Sequence, residues 1–355
     1  MKRVLQFFTD TLLRWNTTEN NRQMPWKGEK DPYRIWLSEI ILQQTRVEQG
    51  WNYYLAFLRQ YPTIHKLAAA PDHEVMKLWE GLGYYSRCRN LLACARQVVT
   101  RYDGKMPQTS SELAILPGIG PYTAAAIASF AFGEPIAVVD GNVIRILSRF
   151  FGIELPWDNP AGKKQFTALA ASLLPASEPA LYNQAIMDFG ATVCKPAQPA
   201  CQACGLAAKC LAYKTNRQAH LPVRTAKAPK KRRYFIYFIF SSQGKVLVRQ
   251  RQDRDVWKNL FEFYLVENDR SPKSVGALAA DKAITLGARA LVSVPTEPYC
   301  QVLTHQLIVA WFVEIALKQT VFVEGYQWVA EAEIAGLAFP GVIRQYLAHR
   351  QLQQG

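Results

Sequence analysis

The 355-residue sequence has no apolar run that approaches the roughly 20 residues that a membrane-spanning helix needs. Its first residues lack the apolar core of a secretory signal peptide. Seven cysteines are too few for a disulfide scaffold of this length, and the sequence contains no internal repeat or low-complexity tract. These absences favour a soluble chain and exclude membrane-spanning and disulfide-stabilised classes.

Acidic residues are also scarce, with 28 Asp and Glu against 42 Lys and Arg, so the formal net charge is +14. Residues 1–220 carry +7, residues 221–233 carry +6 and residues 234–355 carry only +1. The short middle segment has no acid and six basic residues, Arg224, Lys227, Lys230, Lys231, Arg232 and Arg233. This distribution predicts a polyanionic partner, although a solvated basic linker would give the same pattern.

The hydrophobic pattern changes along the chain. The first ~215 residues show apolar residues at the three-and-four spacing of amphipathic helices. After residue 233 the pattern becomes short β-rich runs such as YFIYFIF, KVLVRQR and QLIVAWFVEI, with two helical segments among them. We therefore predict an all-α domain over residues 1–219, a basic linker over 220–233 and an α+β domain over 234–355.

Four of the cysteines form a compact C-x6-C-x2-C-x5-C array, Cys194, Cys201, Cys204 and Cys210. Four thiolates at this spacing can surround one soft metal centre without help from distant residues, and we favour an iron–sulfur cluster. An all-thiolate zinc site is the alternative, but structural zinc usually shows two tight cysteine pairs and only Cys201 and Cys204 form one. A disulfide pair is the weakest reading.

A glycine-rich turn, LPGIGPYTAAAI, precedes a small-residue helix at residues 116–127. Gly118 and Gly120 let the backbone come close to a ligand, and the following helix N-terminus offers unpaired N–H groups to a phosphate. We therefore predict a helix–hairpin–helix that binds the DNA backbone. An ordinary pair of antiparallel helices is the alternative.

Two carboxylates lie in apolar surroundings, Glu39 in IWLSEIILQQT and Asp140 after the apolar run PIAVV. Apolar neighbours disfavour the charged form of Glu39, which suits a general acid. A buried carboxylate paired with an arginine is the alternative for Glu39, and helix N-capping is the alternative for Asp140. An acid plus a carboxylate is what cleavage of a glycosidic bond through an oxocarbenium-like state requires.

Five motifs in order, WLSEIILQQTRV, WEGLGYYSRCRNL, LPGIGPYTAAAI, AVVDGNVIR and the cysteine array, resemble the adenine DNA glycosylase (MutY) family. The resemblance covers nearly the whole chain. It implies a [4Fe-4S] cluster on the four cysteines and removal of adenine mispaired with 8-oxoguanine or guanine in double-stranded DNA. It also implies a monomer in the bacterial cytoplasm, associated with the nucleoid.

The resemblance assigns roles to individual residues. Glu39 would protonate the adenine at N7, and Asp140 would stabilise the positive sugar centre, with Tyr122 and Asn142 holding the two carboxylates. Endonuclease III-like enzymes carry a lysine where this chain has Tyr122, so base release without efficient strand cleavage is expected.

Further positions match family residues that contact DNA. Gln44 and Tyr84 match residues that wedge into the base stack, although a surface amide and a core aromatic are the simpler readings. Arg22, Trp26 and Gln184 match positions that line the adenine pocket, and the P-W-K sequence ending at Lys27 replaces a commoner P-W-R.

The last domain resembles the MutT-like (Nudix-fold) domain of these glycosylases, which reads 8-oxoguanine. The glutamates of a Nudix hydrolase site are missing, so a second hydrolase activity is not expected. The lesion-reading loop, commonly F-S-H, corresponds to Leu303, Thr304 and His305, so the aromatic residue is lost. A DNA-binding scaffold or redox sensor without catalysis is the competing hypothesis, and the presence of both Glu39 and Asp140 argues against it.

Overall fold

A computed structural model describes residues 2–226, 228–253, 255–285 and 291–354, so Lys227 of the basic segment lies outside the described residues. The chain divides into two compact units, Met1–Ala69 with Asn90–Lys227, and Ala70–Arg89 with Ala228–Gly355. Residues 70–89 thus cluster with the C-terminal part of the chain, and the boundaries predicted at 219 and 233 stay predictions. No described helix is long and apolar enough to cross a membrane.

The first part of the chain is helical, as the periodicity predicted. Its helices are α1 (Lys2–Thr18), α2 (Pro32–Leu42), α3 (Val47–Gln60), α4 (Ile64–Ala69), α5 (Asp72–Leu78), α6 (Ser86–Tyr102), α7 (Ser110–Leu113), α8 (Pro121–Phe132), α9 (Gly141–Phe151), α10 (Pro160–Leu173), α11 (Pro179–Thr192) and α12 (Leu211–Lys214). Two short 3-10 turns, Cys201–Ala203 and Ala207–Lys209, lie within the cysteine array.

Helix α2 begins where Asp31 caps it and Pro32 occupies its first position, a preferred start for a helix. The helix ends at Leu42, within the stretch of helical apolar spacing that runs on to Val47 in the sequence. A turn follows, in which Gln44 adopts a left-handed φ of +56° that an α-helix cannot contain. The segment is therefore two helices separated by a short exposed turn.

The first unit has its core where α1, α9, α10 and α11 bring their apolar faces together. Large side chains fill this core, among them Phe8, Leu12, Trp15, Leu147, Phe150, Phe166 and Phe189. Helix α8 packs instead through four small buried residues, Ala124, Ala125, Ala126 and Ala128, which allow α2 to lie close beside it. This close packing brings Glu39 of α2 next to Tyr122 at the start of α8.

The second unit is built on one mixed sheet, which confirms the predicted α+β class. Its strands are β1 (Lys231–Ser242), β2 (Lys245–Gln250), β3 (Phe261–Glu262), β4 (Tyr264–Asn268), β5 (Leu291–Val292), β6 (Tyr299–Val302), β7 (Gln306–Ala316) and β8 (Gln327–Ala330). The central pair β1 and β7 is parallel, whereas β2 and β4 pair antiparallel with β1, and β5 and β6 pair antiparallel with β7. Helices α13 (Val275–Thr285) and α14 (Gly341–Gln354) belong to this unit, as does α5.

Strand β1 explains the sheet's stability, because six consecutive residues, Phe235 to Phe240, are buried. Such a run marks a strand that is covered on both faces. The tight connection between β6 and β7 carries residues 303–305, and Leu303 N–H donates to the Gln306 carbonyl at 2.8 Å to close it. The predicted lesion-reading loop is therefore a hairpin turn at one end of the sheet's parallel core.

Candidate active site

One cavity in the first unit, of about 430 Å³, collects most of the predicted site residues. Its lining includes Arg22, Trp26, Glu39, Tyr122, Asp140, Asn142 and Gln184. These side chains come from the loop before α2, from α2 itself, from the starts of α8 and α9, and from α11. The volume lies in the range of small-molecule pockets and accommodates one purine base.

Glu39 projects from the apolar face of α2 and is only 7% exposed. Burial raises the pKa of Glu39 to about 7; the Tyr122 hydroxyl, which hydrogen-bonds the carboxylate, opposes the shift, and the negative charge of Asp140 adds to it. No ion pair to Glu39 occurs among the described residues, so the arginine-paired alternative is not what the fold provides. A carboxyl group with this pKa is about half protonated at pH 7 and can act as a proton donor there.

Asp140 is both the cap of a helix and a member of the cavity. Its Oδ1 accepts from the Val143 backbone N–H at 2.7 Å, and its Oδ2 accepts from Asn142 Nδ2 at 2.6 Å. Burial raises the pKa of Asp140, but these hydrogen bonds favour its charged form and counteract the burial. Since the part of the chain that the structure describes gives Glu39 no comparable set of donors, we infer that the proton shared by the pair resides mainly on Glu39.

Tyr122 and Asn142 hold the two carboxyl groups. Burial and the nearby carboxylates of Glu39 and Asp140 keep the pKa of Tyr122 well above its usual range, so the hydroxyl remains a donor. Asn142 is fixed in turn by Arg145, whose Nη2 donates to Asn142 Oδ1 at 2.7 Å. The Tyr122 hydroxyl and the Asn142 amide thus set the orientation of the two carboxyl groups, and both remain hydrogen-bond donors.

Arg145 also connects the cavity to the cysteine segment. Its guanidinium donates to the Gly190 carbonyl at 2.7 Å and to the Cys194 carbonyl at 2.7 Å. Gly190 lets Asn142 lie close to α11, because a Cβ there would lie 2.6 Å from Asn142 Cβ. One buried side chain therefore ties the Asp140 partner to the backbone of the first cysteine.

Asp188 lies behind the cavity wall, was not singled out by the sequence, and is fully buried. Its Oδ1 is 2.8 Å from Arg22 Nη1, and its Oδ2 is 3.1 Å from Lys27 Nζ. The signal that could have found it is its position four residues after Gln184 on α11, because residues at that spacing lie on one helix face. Other lining residues that sequence reasoning missed are Asn16, Met24, Ser38 and Met187.

The four cysteines of the array line a common small cavity. Burial raises the pKa of Cys204 to about 11. The charges of the other three cysteines add to this increase, because the four side chains lie close together. Arg149 lies over this cavity, and its guanidinium donates to Lys195 O at 2.7 Å, to Pro196 O at 3.0 Å and to Cys194 Sγ at 3.5 Å. Among the described residues, no three His, Cys, Asp or Glu side chains converge on a position for a single metal ion.

The predicted hairpin forms between α7 and α8. Gly118 has a φ of +74°, and a Cβ at this position would lie 2.6 Å from Asn90 Cβ, so the turn requires glycine. Gly120 is the N-cap of α8 and provides no side-chain cap, which leaves backbone N–H groups at the helix start free for an anion. Both glycines lie outside the cavity lining.

Gln44 and Tyr84 share an uncommon backbone conformation. Their φ angles are +56° and +48°, and both side chains are exposed, Tyr84 by 45%. Non-glycine residues in this region carry strain, and such strain clusters at binding sites. Tyr84 is therefore not a core aromatic, whereas the exposure of Gln44 is also what a surface amide would show.

The 303–305 turn belongs to the second unit, as does Tyr84. Thr304 Oγ1 donates to the Tyr84 hydroxyl at 3.3 Å, and both Thr304 and His305 are exposed. Lys230 Nζ donates to Leu303 O at 2.7 Å, and Lys231 N–H donates to His305 O at 3.0 Å. The end of the basic segment therefore fixes the backbone of this turn.

Comparison with known proteins agrees with this geometry. The profile of HhH-GPD superfamily base excision DNA repair proteins matches residues 37–171, and the NUDIX domain profile matches residues 236–349. An adenine DNA glycosylase of Buchnera aphidicola subsp. Baizongia pistaciae is 34% identical over 267 residues, 74% of this chain and 75% of the relative. The human adenine DNA glycosylase is 42% identical over 223 residues, 60% of this chain and 41% of the relative.

Solved structures resemble the helical part. A thermostable thymine-DNA glycosylase has 31% identity and a TM-score of 0.56 over 60% of this chain and 98% of its own. An endonuclease III–DNA complex has 22% identity and a TM-score of 0.52 over 61% of this chain and 98% of its own. The second likeness establishes the fold alone.

The raised pKa of Glu39 predicts a pH-dependent cost to stability. Because the folded-state pKa of about 7 exceeds the ordinary pKa of 4.5, folding favours the protonated form, and the free energy of unfolding falls as pH rises from 4.5 to 7. Glu39→Gln removes this dependence and should be more stable than the parent by about 3 kcal/mol at pH 8, with little difference at pH 4.5. Urea unfolding at both pH values measures the difference.

The matched control is Glu48→Gln, which removes an exposed carboxylate from α3. It should not reproduce the pH-dependent gain. A Glu39→Gln protein whose stability advantage is the same at both pH values would contradict the assigned burial of this carboxyl group.

Proposed function

The chain belongs to the adenine DNA glycosylase family, which acts in base excision repair by removing adenine, and from that premise we propose that it excises adenine opposite 8-oxoguanine or guanine in duplex DNA. The observation that carries the proposal is the pair of carboxyl groups, Glu39 and Asp140, in one purine-sized cavity. Bound in a duplex, the adenine cannot reach this cavity, so it must leave the base stack.

We assign Glu39 as the general acid. Adenine is a poor leaving group until a ring nitrogen is protonated, and the raised pKa keeps a proton on Glu39 near neutral pH. The hydrogen bond with Tyr122 directs the carboxyl group. Protonation at N7 of the adenine withdraws electrons from the glycosidic bond and lets the base depart.

Asp140 is assigned to the sugar side. As the C–N bond breaks, positive charge develops on the sugar, and a carboxylate held by Asn142 and the Val143 N–H is available to stabilise it. Water then attacks the sugar and leaves an abasic site. Helix α8 carries Tyr122, flanked by Pro121 and Thr123, and provides no amine there for a Schiff base, so strand cleavage is not expected.

The remaining site residues are assigned to DNA. Arg22, Trp26 and Gln184 would contact the extruded adenine, because they line the same cavity as Glu39. The exposed, left-handed Gln44 and Tyr84 would enter the base stack, since strained exposed residues suit a role in binding.

The DNA backbone would be held by the Gly118–Gly120 hairpin and by basic residues. The N–H groups at the start of α8 suit a phosphate. We place recognition of 8-oxoguanine on Thr304 and His305, supported by their exposure on a turn whose backbone is fixed by neighbours. That the protein acts as a monomer in the bacterial cytoplasm stays a prediction.

A [4Fe-4S] cluster fits the cysteine site. The donor set is four thiols around one cavity with Arg149 beside it, as a cluster of net negative charge requires. The spacing of the four cysteines, with only Cys201 and Cys204 as a tight pair, favours a cluster over a single zinc ion. When bound, the cluster would supply structural order, holding the loop from Cys194 to Cys201, with Lys195, against DNA phosphates.

Base release tests the function directly. With a duplex containing adenine opposite 8-oxoguanine, we expect abasic sites that become strand breaks only after alkali. Glu39→Gln should lower the single-turnover rate by about 10²- to 10⁴-fold while retaining most DNA affinity, because it removes the proton and little else. Glu74→Gln, which replaces an exposed carboxylate on α5, should match the parent.

An active Glu39→Gln protein would remove the assigned acid. DNA binding without release of adenine from any mispair would instead support a non-catalytic scaffold. Borohydride trapping of the protein on DNA would establish a lyase and contradict the role given to Tyr122.

Thr304→Val tests the opposite-base assignment. Loss of the hydroxyl should reduce the preference for adenine opposite 8-oxoguanine over adenine opposite guanine by roughly threefold to tenfold, the effect of one polar contact. Thr320→Val, an exposed threonine of the same unit, is the control. Equal preferences in the two variants and the parent would place lesion recognition elsewhere.

Cys194→Ser tests the cluster. We expect loss of bound iron and of visible absorption, together with weaker DNA binding, because the Cys194–Cys201 loop loses its anchor. Cys300→Ser, at an exposed cysteine outside the array, should keep its iron. A Cys194→Ser protein without iron but with unchanged DNA affinity would contradict the ordering role.

A further inference from the structure

Arg149, on α9, joins two segments of the first unit that are separate in sequence. In addition to its bonds with the Lys195 and Pro196 carbonyls of the cysteine segment, its Nε donates to the Leu221 carbonyl at 3.1 Å. Both Arg149 and Leu221 are buried, with 3% and 2% of their surfaces exposed. One guanidinium therefore holds the cysteine segment and the start of the basic segment together.

The start of the basic segment, residues 221–225, is bound to the first unit along its length. The Trp157 backbone N–H donates to the Val223 carbonyl at 3.3 Å. Thr225 donates to Asp158 from its backbone N–H at 3.0 Å and from its Oγ1 at 2.8 Å. We call residues 221–225 the strap, because both of its ends and its middle are held in place.

The charge of Arg149 is not balanced by a carboxylate. Among the residues that the structure describes, Arg149 forms no ion pair with an Asp or Glu, and the side-chain atom to which it donates is Cys194 Sγ at 3.5 Å. A buried cation without a counter-charge is costly, and backbone carbonyls bring no net charge. A cluster held by four thiolates brings negative charge to this place. The buried position of Arg149 therefore depends on a loaded cysteine site.

We propose that Arg149 is a positioning residue through which a cluster at the cysteine site fastens the strap to the first unit. While the cluster is bound, the guanidinium stays buried and donates to the Leu221 carbonyl. When the cluster is lost, the guanidinium moves toward water, the carbonyl loses its donor and the strap opens. The free chain between the two units is then longer by the length of the strap. The inference rests on the cluster proposed above and extends its effect beyond the cysteine loop.

Hydrogen exchange of the strap amides and trypsin cleavage after Arg224 test the inference, because both require the strap to open. In the iron-loaded parent the strap should be protected. Arg149→Lys keeps the charge but replaces the planar fork with one ammonium group. Both rates should then rise about tenfold, the effect of one charge-assisted hydrogen bond. Removal of iron from the parent should give a similar rise.

The combination of the substitution with iron removal separates this role from general damage. In iron-free Arg149→Lys protein the strap should open no further than after either change alone, since both act through the same side chain. Arg59→Lys, at an exposed arginine of α3, is the matched control and should follow the parent in both states. A merely structural role of Arg149 would raise exchange throughout the first unit of the iron-loaded variant, α3 included.

Parent-like protection of the strap in iron-loaded Arg149→Lys would overturn the inference alone, as would a strap that stays protected in folded, iron-free parent. A parent that binds no iron after anaerobic reconstitution would overturn the proposed cluster as well. Should Arg149→Lys not fold, the parent with and without iron decides the matter by the same two rates.

Should the iron-free parent unfold instead, cleavage after Arg224 is followed while a chelator removes the iron. Cleavage that precedes the exchange of α3 would support the inference, because the strap then opens before the unit does. Cleavage that only follows the exchange of α3 would overturn it.

Discussion

The site depends on keeping two carboxyl groups close together away from water. Burial and like charge both disfavour a second negative charge in this space, so one group retains its proton. The fold decides which group that is. Asp140 receives the Val143 N–H and the Asn142 amide, whereas among the described residues the donor to Glu39 is the Tyr122 hydroxyl. An acid and an anion thus arise from two chemically similar side chains.

The surrounding structure maintains this difference between Glu39 and Asp140. Small residues in α8 let α2 lie close enough for Glu39 to meet Tyr122, and the capping geometry at the start of α9 points Asp140 into the cavity. Arg145 links Asn142 to the backbone of Cys194. Order in the cysteine segment and the position of Asp140 are therefore connected through Arg145 and Asn142. Asp188 holds Arg22, Lys27 and Gln184 of the cavity wall in a comparable way.

Much of the fold and of the candidate site could be predicted from the sequence, because helical periodicity, glycine turns and β-rich runs are local signals. The carboxyl pair, the hairpin and the class of both domains follow from such signals together with family motifs. The break in the helix after Leu42 could not be predicted, because it depends on the left-handed backbone of Gln44. Asp188 was missed because its importance lies in partners distant in sequence, Asn20, Arg22 and Lys27, which only the folded chain brings together.

The pH dependence of the single-turnover rate of adenine release tests the central claim most directly. If Glu39 delivers the proton, the rate constant at saturating protein should be highest on the acid side and decline tenfold per pH unit above about 7, as the acid loses its proton. A rate that stays constant from pH 6 to pH 9 would contradict the assignment of Glu39 as the proton donor.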